Sequence, residues 1–169
     1  HKQGNPEQGL KESEVSFDQI YHTPSQSNSP MEPHATLAYW EDEKLVLYTA
    51  NQMLSSCKQQ VADALNLDPN NVQLIARYVG GGFGSKLGIA PESIAAAISA
   101  KELKRPVLIV MTRPQVMETT IRRSDTRQRI GIGCDKEGVI NTFIHNTITS
   151  NLPGESFFEP AALSTHYLY

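Results

Sequence analysis

The sequence predicts an α/β domain, close to the border with α+β, that contains a mixed sheet and two main helices. Short β-prone runs alternate with helical runs through the middle of the chain, and each helical run gathers its apolar residues on one side. The chain has 169 residues, of which 39% are hydrophobic and 20% charged, enough for a domain with its own core. We therefore predict a single domain over residues 1–169, with a loose polar segment at 1–14.

The first half of the chain predicts three strands and one helix. Residues 15–21 alternate in part and predict the first strand. Runs 35–40 and 45–49 flank an acidic turn, so they predict the two arms of a hairpin. Residues 52–65 predict a helix, because their apolar side chains fall mainly on one face, and Asn66 can end it.

The second half predicts two further strands around a second helix, followed by another hairpin. Residues 72–79 form an apolar, β-prone run, and Pro91 and Glu92 suit the first turn of the helix. The apolar run 107–110 predicts a strand parallel to 72–79, joined to it by a right-handed crossover. The remaining predicted elements are a helical turn capped by Thr112, extended runs at 127–133 and 139–149, and a loop over 151–169.

Composition favours a globular protein without nucleic acid as a partner. The net charge of −3 comes from mixed signs, and the one basic cluster is typical of a solvated strand face. Its members are Arg122, Arg123, Arg127 and Arg129, around Asp125. Cys57 and Cys134 are isolated, which favours buried thiols or a reducing compartment over a disulfide framework. No apolar run approaches the length needed to span a bilayer.

The most unusual stretch is Gly-Gly-Gly-Phe-Gly-Ser-Lys at residues 80–86, between a predicted strand and a predicted helix. Glycines allow φ > 0 and a close approach to a ligand, and peptide N–H groups beside a helix start favour an anion or a polar ring edge. A tight turn that only lets strand and helix pack is the alternative. A Walker A loop does not fit, because Ser85 precedes Lys86, and the dinucleotide fingerprint lacks its third glycine.

The sequence contains none of the common motifs for metal binding or nucleophilic catalysis by side chains. The five histidines have no zinc-binding spacing, so we expect no metal held by protein side chains. His34, near Glu32, is a candidate for acid–base work, and a histidine bonded to loop backbone is the alternative. No nucleophile elbow is present, and neither cysteine has a catalytic signature beside it.

Five short stretches follow one another in a particular order. They are PMEPHA at 30–35, NQ at 51–52, GGGFGSK at 80–86, TR at 112–113 and RR at 122–123. In this order they resemble the xanthine dehydrogenase/aldehyde oxidase family, in the front part of its molybdopterin-binding large subunit. The resemblance is strongest to bacterial aldehyde oxidoreductases whose large subunit is a separate polypeptide. Since the chain also begins without methionine, we expect a fragment of a longer protein.

The resemblance implies an oxidative hydroxylase that acts on aldehydes or related substrates, with water as the oxygen source. A molybdenum–molybdopterin cofactor, possibly in a dinucleotide form, would carry the chemistry. Electrons would pass to iron–sulfur and FAD domains or subunits. The catalytic glutamate and a second cofactor loop would lie outside this chain, so the fragment is expected to be inactive and without cofactor. The compartment, bacterial cytoplasm or periplasm, stays open, and a non-catalytic ligand-binding or assembly domain on the same scaffold is the alternative.

The resemblance also implies a set of cofactor-binding residues. Gln52 matches a glutamine whose amide donates a hydrogen bond to the apical oxygen on molybdenum. Gly82, Phe83 and Gly84 match a loop whose backbone amides contact the cofactor. For Gln52, an ordinary residue at a helix N-terminus is the alternative.

Three residues are assigned to the substrate pocket by the same resemblance: Phe83, Leu87 and Arg123, or its neighbour Arg122. For Arg123, a surface ion pair with Asp125 is the alternative. Purine-hydroxylating members of the family carry a glutamate directly after the loop lysine, where this chain has Leu87. Because leucine cannot hydrogen-bond a purine edge, we predict an aldehyde or another less polar substrate.

Overall fold

The computed structural model describes residues 3–151 and 160–168 and contains two sheets. In chain order the elements are α1 (Pro6–Glu12), β1 (Val15–Thr23), β2 (Ala35–Glu41), β3 (Lys44–Thr49), α2 (Leu54–Leu65), a 3-10 turn (Pro69–Asn71), β4 (Val72–Ile75), α3 (Pro91–Leu103), β5 (Val107–Val110), α4 (Arg113–Thr119), β6 (Thr126–Cys134), β7 (Ile140–Thr149) and α5 (Leu163–Leu168). The chain divides into two compact units. The central unit is Ser27–Arg122, and the flanking unit combines residues 1–26 with residues 123–169. We predicted a single domain and did not anticipate this division.

The central unit holds a four-stranded mixed sheet in the order β4-β3-β2-β5. Strand β2 pairs antiparallel with both β3 and β5, whereas β3 pairs parallel with β4 across α2. The predicted mixed sheet with two main helices is therefore confirmed. Strands β4 and β5 run in the same direction, as predicted, but they lie at opposite edges of the sheet with β3 and β2 between them.

The core of the central unit forms between this sheet and the helices α2 and α3. Leu45 and Leu47 of β3 and Val61 of α2 are fully buried. On α3 the buried positions are occupied mainly by alanines, which allow the helix to lie close to the sheet. Asn66 ends α2 in the left-handed conformation, as the sequence predicted.

Replacing Leu47 with alanine should lower the free energy of unfolding of the central unit by about 2–5 kcal/mol, because it leaves a cavity beside the buried strand. Urea denaturation followed by the fluorescence of Trp40, the single tryptophan, measures this unit directly. Leu108→Ala is the matched control, since that side chain is 62% exposed and should cost little. Equal losses for the two variants would contradict the placement of the core.

The flanking unit is a three-stranded antiparallel sheet in the order β1-β6-β7, with α1 packed on it. The predicted strand at 15–21 and the predicted final hairpin are both present. The loose segment predicted at 1–14 is wrong for its described part: Asn5 caps a helix that begins at Pro6, and Leu10 is buried. A Cβ atom on Gly131 of β6 would lie 3.3 Å from Leu10 Cδ2, so this glycine lets the helix approach the sheet.

Arg129 of the flanking unit joins α1 to β1. Its guanidinium pairs with Glu7 at 2.6 Å and with Asp18 at 2.7 Å, and these bonds hold the pKa of both carboxyls below their usual values. This member of the basic cluster is therefore engaged in ion pairs on a strand. The loop predicted for 151–169 lies partly outside the described residues, at 152–159, and it is wrong at 163–168, where α5 forms.

Both cysteines are free, Cys57 buried and Cys134 partly buried. Burial raises the pKa of the Cys57 thiol. Within the two described ranges, no group of His, Cys, Asp and Glu side chains could hold a metal ion. No described helix combines the length and apolar character needed to cross a membrane.

Candidate functional site

The glycine loop, residues 80–86, follows β4 but does not lead directly into α3. Strand β4 ends at Ile75, short of the predicted 79, and α3 begins at Pro91. Two tight turns fill part of this interval: the N–H of Ser85 donates to the carbonyl of Gly82 at 2.9 Å, and that of Leu87 to Gly84 at 3.3 Å. The prediction that loop amides sit at a helix start is therefore wrong, because the turns and residues 87–90 come before the helix. The dipole of α3 therefore gives no reason to expect anion binding at this loop.

The backbone of the loop is left-handed at three positions. Gly81, Phe83 and Gly84 have φ values of 92°, 52° and 97°. For a phenylalanine this conformation costs free energy, of order 1–3 kcal/mol, and such strain clusters at functional sites. Phe83 is also 68% exposed. Its ring lies over Gly81, where a Cβ atom would be 3.0 Å from Phe83 Cε2. The strained, exposed ring therefore makes this loop the first candidate for a binding site.

Gln52 is attached to the loop by three hydrogen bonds. Its Oε1 accepts from the N–H of Gly84 at 3.1 Å and from that of Lys86 at 3.3 Å, and its own N–H donates to the carbonyl of Lys86 at 2.9 Å. Two backbone donors identify the carbonyl end of the side chain, so Nε2 is the other end. In the described part of the chain, no group accepts a hydrogen bond from it. Because α2 starts only at Leu54, Gln52 is not a helical residue.

The side chain of Gln52 fills the space beside Gly82. A Cβ atom on Gly82 would lie 2.5 Å from Gln52 Cδ and 2.9 Å from its Cγ, so any other residue would displace the glutamine. The structure thus brings together all four predicted cofactor-binding residues. It also adds a detail, since the N–H of Gly84, assigned to the cofactor from the sequence, here orients Gln52.

A partly buried ion pair closes the base of the loop. Lys86 Nζ lies 2.6 Å from Glu32 Oε2, with no exposed side-chain area on the lysine. The same carboxylate oxygen accepts from the N–H of Gly80 at 2.8 Å. Partial burial raises the pKa of Glu32, but Lys86 and the Gly80 N–H outweigh it, so the pKa lies below its usual value. Sequence reasoning missed this pair, because its members are 54 residues apart and no spacing rule links them.

His34 is held by the loop and is not poised for acid–base chemistry with Glu32. Its Nε2 lies 3.1 Å from the carbonyl oxygen of Ser85, and since a carbonyl only accepts, the histidine donates from Nε2. The other ring nitrogen, Nδ1, is buried and has no hydrogen-bond partner among the described residues. The interpretation as a histidine bonded to loop backbone therefore fits this structure.

The three predicted substrate residues fall in different units. Phe83 and Leu87 both belong to the loop region, and Leu87 is half-buried, with its backbone fixed by Gly84 and by a hydrogen bond from Cys57 Sγ at 3.4 Å. Arg123 belongs to the flanking unit, where its backbone pairs with Gln26. Its place in a substrate pocket remains a prediction. Asp125, its proposed ion-pair partner, accepts a hydrogen bond from Ser150 Oγ.

The mixed sheet, the strained glycine loop and the attached carboxamide define a domain with a candidate ligand-binding loop. A family model described as "Molybdopterin cofactor-binding domain" matches residues 1–165. The chain belongs to this family, and the predicted resemblance to xanthine dehydrogenases and aldehyde oxidases is confirmed.

Relatives of this chain include two curated proteins from distant organisms. The chain is 41% identical over 140 residues to the aldehyde oxidoreductase molybdenum-binding subunit PaoC of Escherichia coli K12, covering 83% of this chain and 19% of the relative. It is 32% identical over 141 residues to a xanthine dehydrogenase of Dictyostelium discoideum, covering 82% of this chain and 10% of the relative. The chain thus spans a fifth or less of their length.

Two solved structures share the fold. The aldehyde oxidoreductase from Desulfovibrio gigas matches with a TM-score of 0.80 and 20% identity, covering 86% of this chain and 16% of that one. Quinoline 2-oxidoreductase from Pseudomonas putida 86 matches with a TM-score of 0.77 and 26% identity, covering 87% of this chain and 20% of that one. The first supports the fold alone, at this level of identity.

Proposed function

We propose that this chain is the front part of a molybdenum hydroxylase subunit that oxidises aldehydes or related substrates. Water would supply the oxygen, and electrons would pass to iron–sulfur and FAD partners. One observation carries the proposal: the glycine loop fixes the carbonyl end of the Gln52 carboxamide, and its Nε2 has no partner among the described residues, in a chain of the molybdopterin cofactor-binding family.

The residues of the loop fit a polar, anionic cofactor. Three donors belong to Gln52 and the loop: the Nε2 group of Gln52 and the peptide N–H groups of Gly82 and Phe83. None of these groups donates to a residue that the structure describes. Gly82 is buried and cannot carry a side chain without displacing Gln52, so the loop backbone and the carboxamide lie in close contact here. Donors of this kind would match the oxygen and nitrogen acceptors of a pterin and the oxygens of its phosphate.

When bound, the molybdenum cofactor supplies the redox chemistry, and the protein groups bind and orient it. In this proposal Gln52 donates from Nε2 to an oxygen of the cofactor, and Gly84 and Lys86 keep that donor in place through its carbonyl end. The ring of Phe83 borders the path of the substrate and excludes water. No residue of this chain is proposed to be catalytic, since the glutamate that the family uses is expected elsewhere in the subunit.

The substrate is proposed to be an aldehyde of low polarity. Leu87 stands directly after the loop lysine and offers only methyl groups to a substrate. A site that lacks a hydrogen-bond partner discriminates against ligands that need one, such as a purine. The placement of Arg123 in the same pocket is also part of this proposal.

The test is a purification of the full-length subunit with its partner subunits, followed by molybdenum and pterin analysis. We expect about one molybdenum per subunit and a kcat/KM for an aromatic aldehyde at least tenfold above that for xanthine. Faster turnover of xanthine would overturn the substrate assignment. A complex that contains neither molybdenum nor pterin would favour a non-catalytic ligand-binding or assembly domain instead.

A further inference from the structure

Lys86 is an unusual residue to find at the base of a ligand-binding loop, because its side chain is completely buried. Removing an ammonium group from water is unfavourable unless a partner and further hydrogen bonds compensate. Lys86 has both: the carboxylate of Glu32 at 2.6 Å and the carbonyl oxygen of Glu32 at 3.2 Å. An apolar residue of similar length would fill this space without any need for a partner, so the charge calls for an explanation.

The pair ties the two ends of the glycine loop to one point. At the first end, Glu32 exchanges two hydrogen bonds with Gly80: Oε2 accepts from the N–H of Gly80, and the N–H of Glu32 donates to the carbonyl of Gly80 at 3.2 Å. At the other end stands Lys86 itself. A Cβ atom on Gly80 would lie 2.6 Å from Glu32 Cβ, so this contact also depends on a glycine.

Lys86 connects this anchor to the proposed cofactor-binding group. Its backbone N–H and carbonyl both bond to Gln52, while its side chain bonds to Glu32. A shift of Lys86 therefore moves the carbonyl end of Gln52 and changes the direction of Nε2. His34 adds a further tether at Ser85, the neighbouring residue. The route from the carboxylate to the carboxamide passes through one residue and consists only of hydrogen bonds and covalent bonds.

We propose that the Glu32–Lys86 ion pair is a positioning device for the cofactor: it fixes the spacing of the loop ends and thereby the orientation of the Gln52 carboxamide. The identity of the ligand rests on the proposed function above, whereas the effect on the loop does not. Glu32 and Lys86 are positioning residues and touch neither cofactor nor substrate. A pair that served folding alone would be replaceable by neutral groups without any loss of cofactor.

The test compares Glu32→Gln, Lys86→Met and the double variant in the full-length complex. Each single variant leaves an unpaired polar or charged group, so the melting temperature of the subunit should fall. The double variant leaves no stranded charge, and its melting temperature should recover. Its molybdenum content should nevertheless stay below about a tenth of the wild-type value, because the spacing of the loop ends is no longer fixed.

A second measurement follows the loop without any cofactor. Amide hydrogen exchange of the peptide that covers residues 80–86, in the cofactor-free subunit, should be at least about tenfold faster in the double variant. Glu7→Gln is the matched control, since it removes one carboxylate from the Arg129 network and should change neither molybdenum content nor loop exchange. Glu32→Asp keeps the charge but shortens the side chain, so it should fold normally and still lose several-fold in molybdenum content.

The outcomes separate this inference from the proposed function. Full recovery of molybdenum along with the melting temperature in the double variant would show that the pair acts only in folding. Unchanged molybdenum content and loop exchange in Glu32→Asp would overturn the inference as well, even where the other variants do not accumulate. If the wild-type complex contains no molybdenum, the proposed function fails, and loop exchange alone decides whether the pair positions the loop.

Discussion

Gly82→Ala is expected to lower kcat/KM for an aldehyde by at least about 100-fold in the full-length complex, with a matching loss of bound molybdenum. A Cβ atom at this position would lie 2.5 Å from Gln52 Cδ, so the carboxamide must leave the loop. The free energy of unfolding should fall by about 1–3 kcal/mol, because the N–H groups of Gly84 and Lys86 lose their acceptor when Gln52 turns away. No backbone strain adds to this loss, since Gly82 does not have a positive φ. The loss of kcat/KM and of bound molybdenum in Gly82→Ala should therefore be much larger than its loss of stability explains.

A double-mutant cycle with Gln52→Ala tests whether the effect passes through the glutamine. If the alanine methyl acts by displacing Gln52, adding Gly82→Ala to Gln52→Ala should cause little further loss of kcat/KM. The measurements are steady-state kinetics, molybdenum per subunit and the melting temperature of each variant. Losses that simply multiply would show that Gly82 acts independently of Gln52, for instance by direct contact with a ligand, and the proposed orientation of the carboxamide would then lack its support.

Helix boundaries that are set by residues adjacent in the chain could be predicted from the sequence. The α2 helix ends at Asn66 because this residue adopts the left-handed conformation, and α3 begins at Pro91 because proline suits the first turn. The capping box of Thr112 and Gln115 is likewise a local pattern. In each case the residues that decide the boundary are neighbours in the chain, so a single sequence contains the information.

Long-range pairing could not be predicted in the same way. Strand β1 pairs with β6, more than 100 residues later, and this pairing creates the second sheet and the second unit. The parallel direction of β4 and β5 was foreseeable from a strand–helix–strand pattern, but the insertion of β3 and β2 between them was not. The helix at the N-terminus was missed because Leu10 is its only described buried residue, too weak a pattern to stand out.

In the candidate site, too, contacts between residues distant in the chain could not be predicted from the sequence. The loop and Gln52 were recognised through a resemblance, while the hydrogen bonds that join them link residues 32 and 34 positions apart in the chain. The pairing of Glu32 with Lys86 carried no sequence signal at all. Conversely, the expected helix dipole at the loop was a plausible local inference that failed, because two turns precede the helix.

Leu87→Glu is expected to shift the substrate preference of the full-length complex from aldehydes towards purines. The backbone of Leu87 is fixed by Gly84 and Cys57, so the substitution should alter the side chain without moving the loop. A carboxylate must lose water when an apolar substrate arrives and gains nothing in return, so kcat/KM for an aromatic aldehyde should fall about 10–200-fold. A purine can hydrogen-bond the new group, and its turnover should rise at least about tenfold.

Leu87→Met is the matched control, because it keeps an apolar side chain of similar volume and should stay within a few-fold of the wild-type kcat/KM. Molybdenum content measured on all variants separates a change of specificity from a loss of cofactor. If Leu87→Glu retains its cofactor and oxidises the aromatic aldehyde as fast as the wild type, the side chain at this position does not meet the substrate. The half-buried leucine would then belong to the packing of the loop, to which its backbone hydrogen bond with Gly84 already ties it, and Phe83 would be the one loop side chain left to line the proposed substrate path.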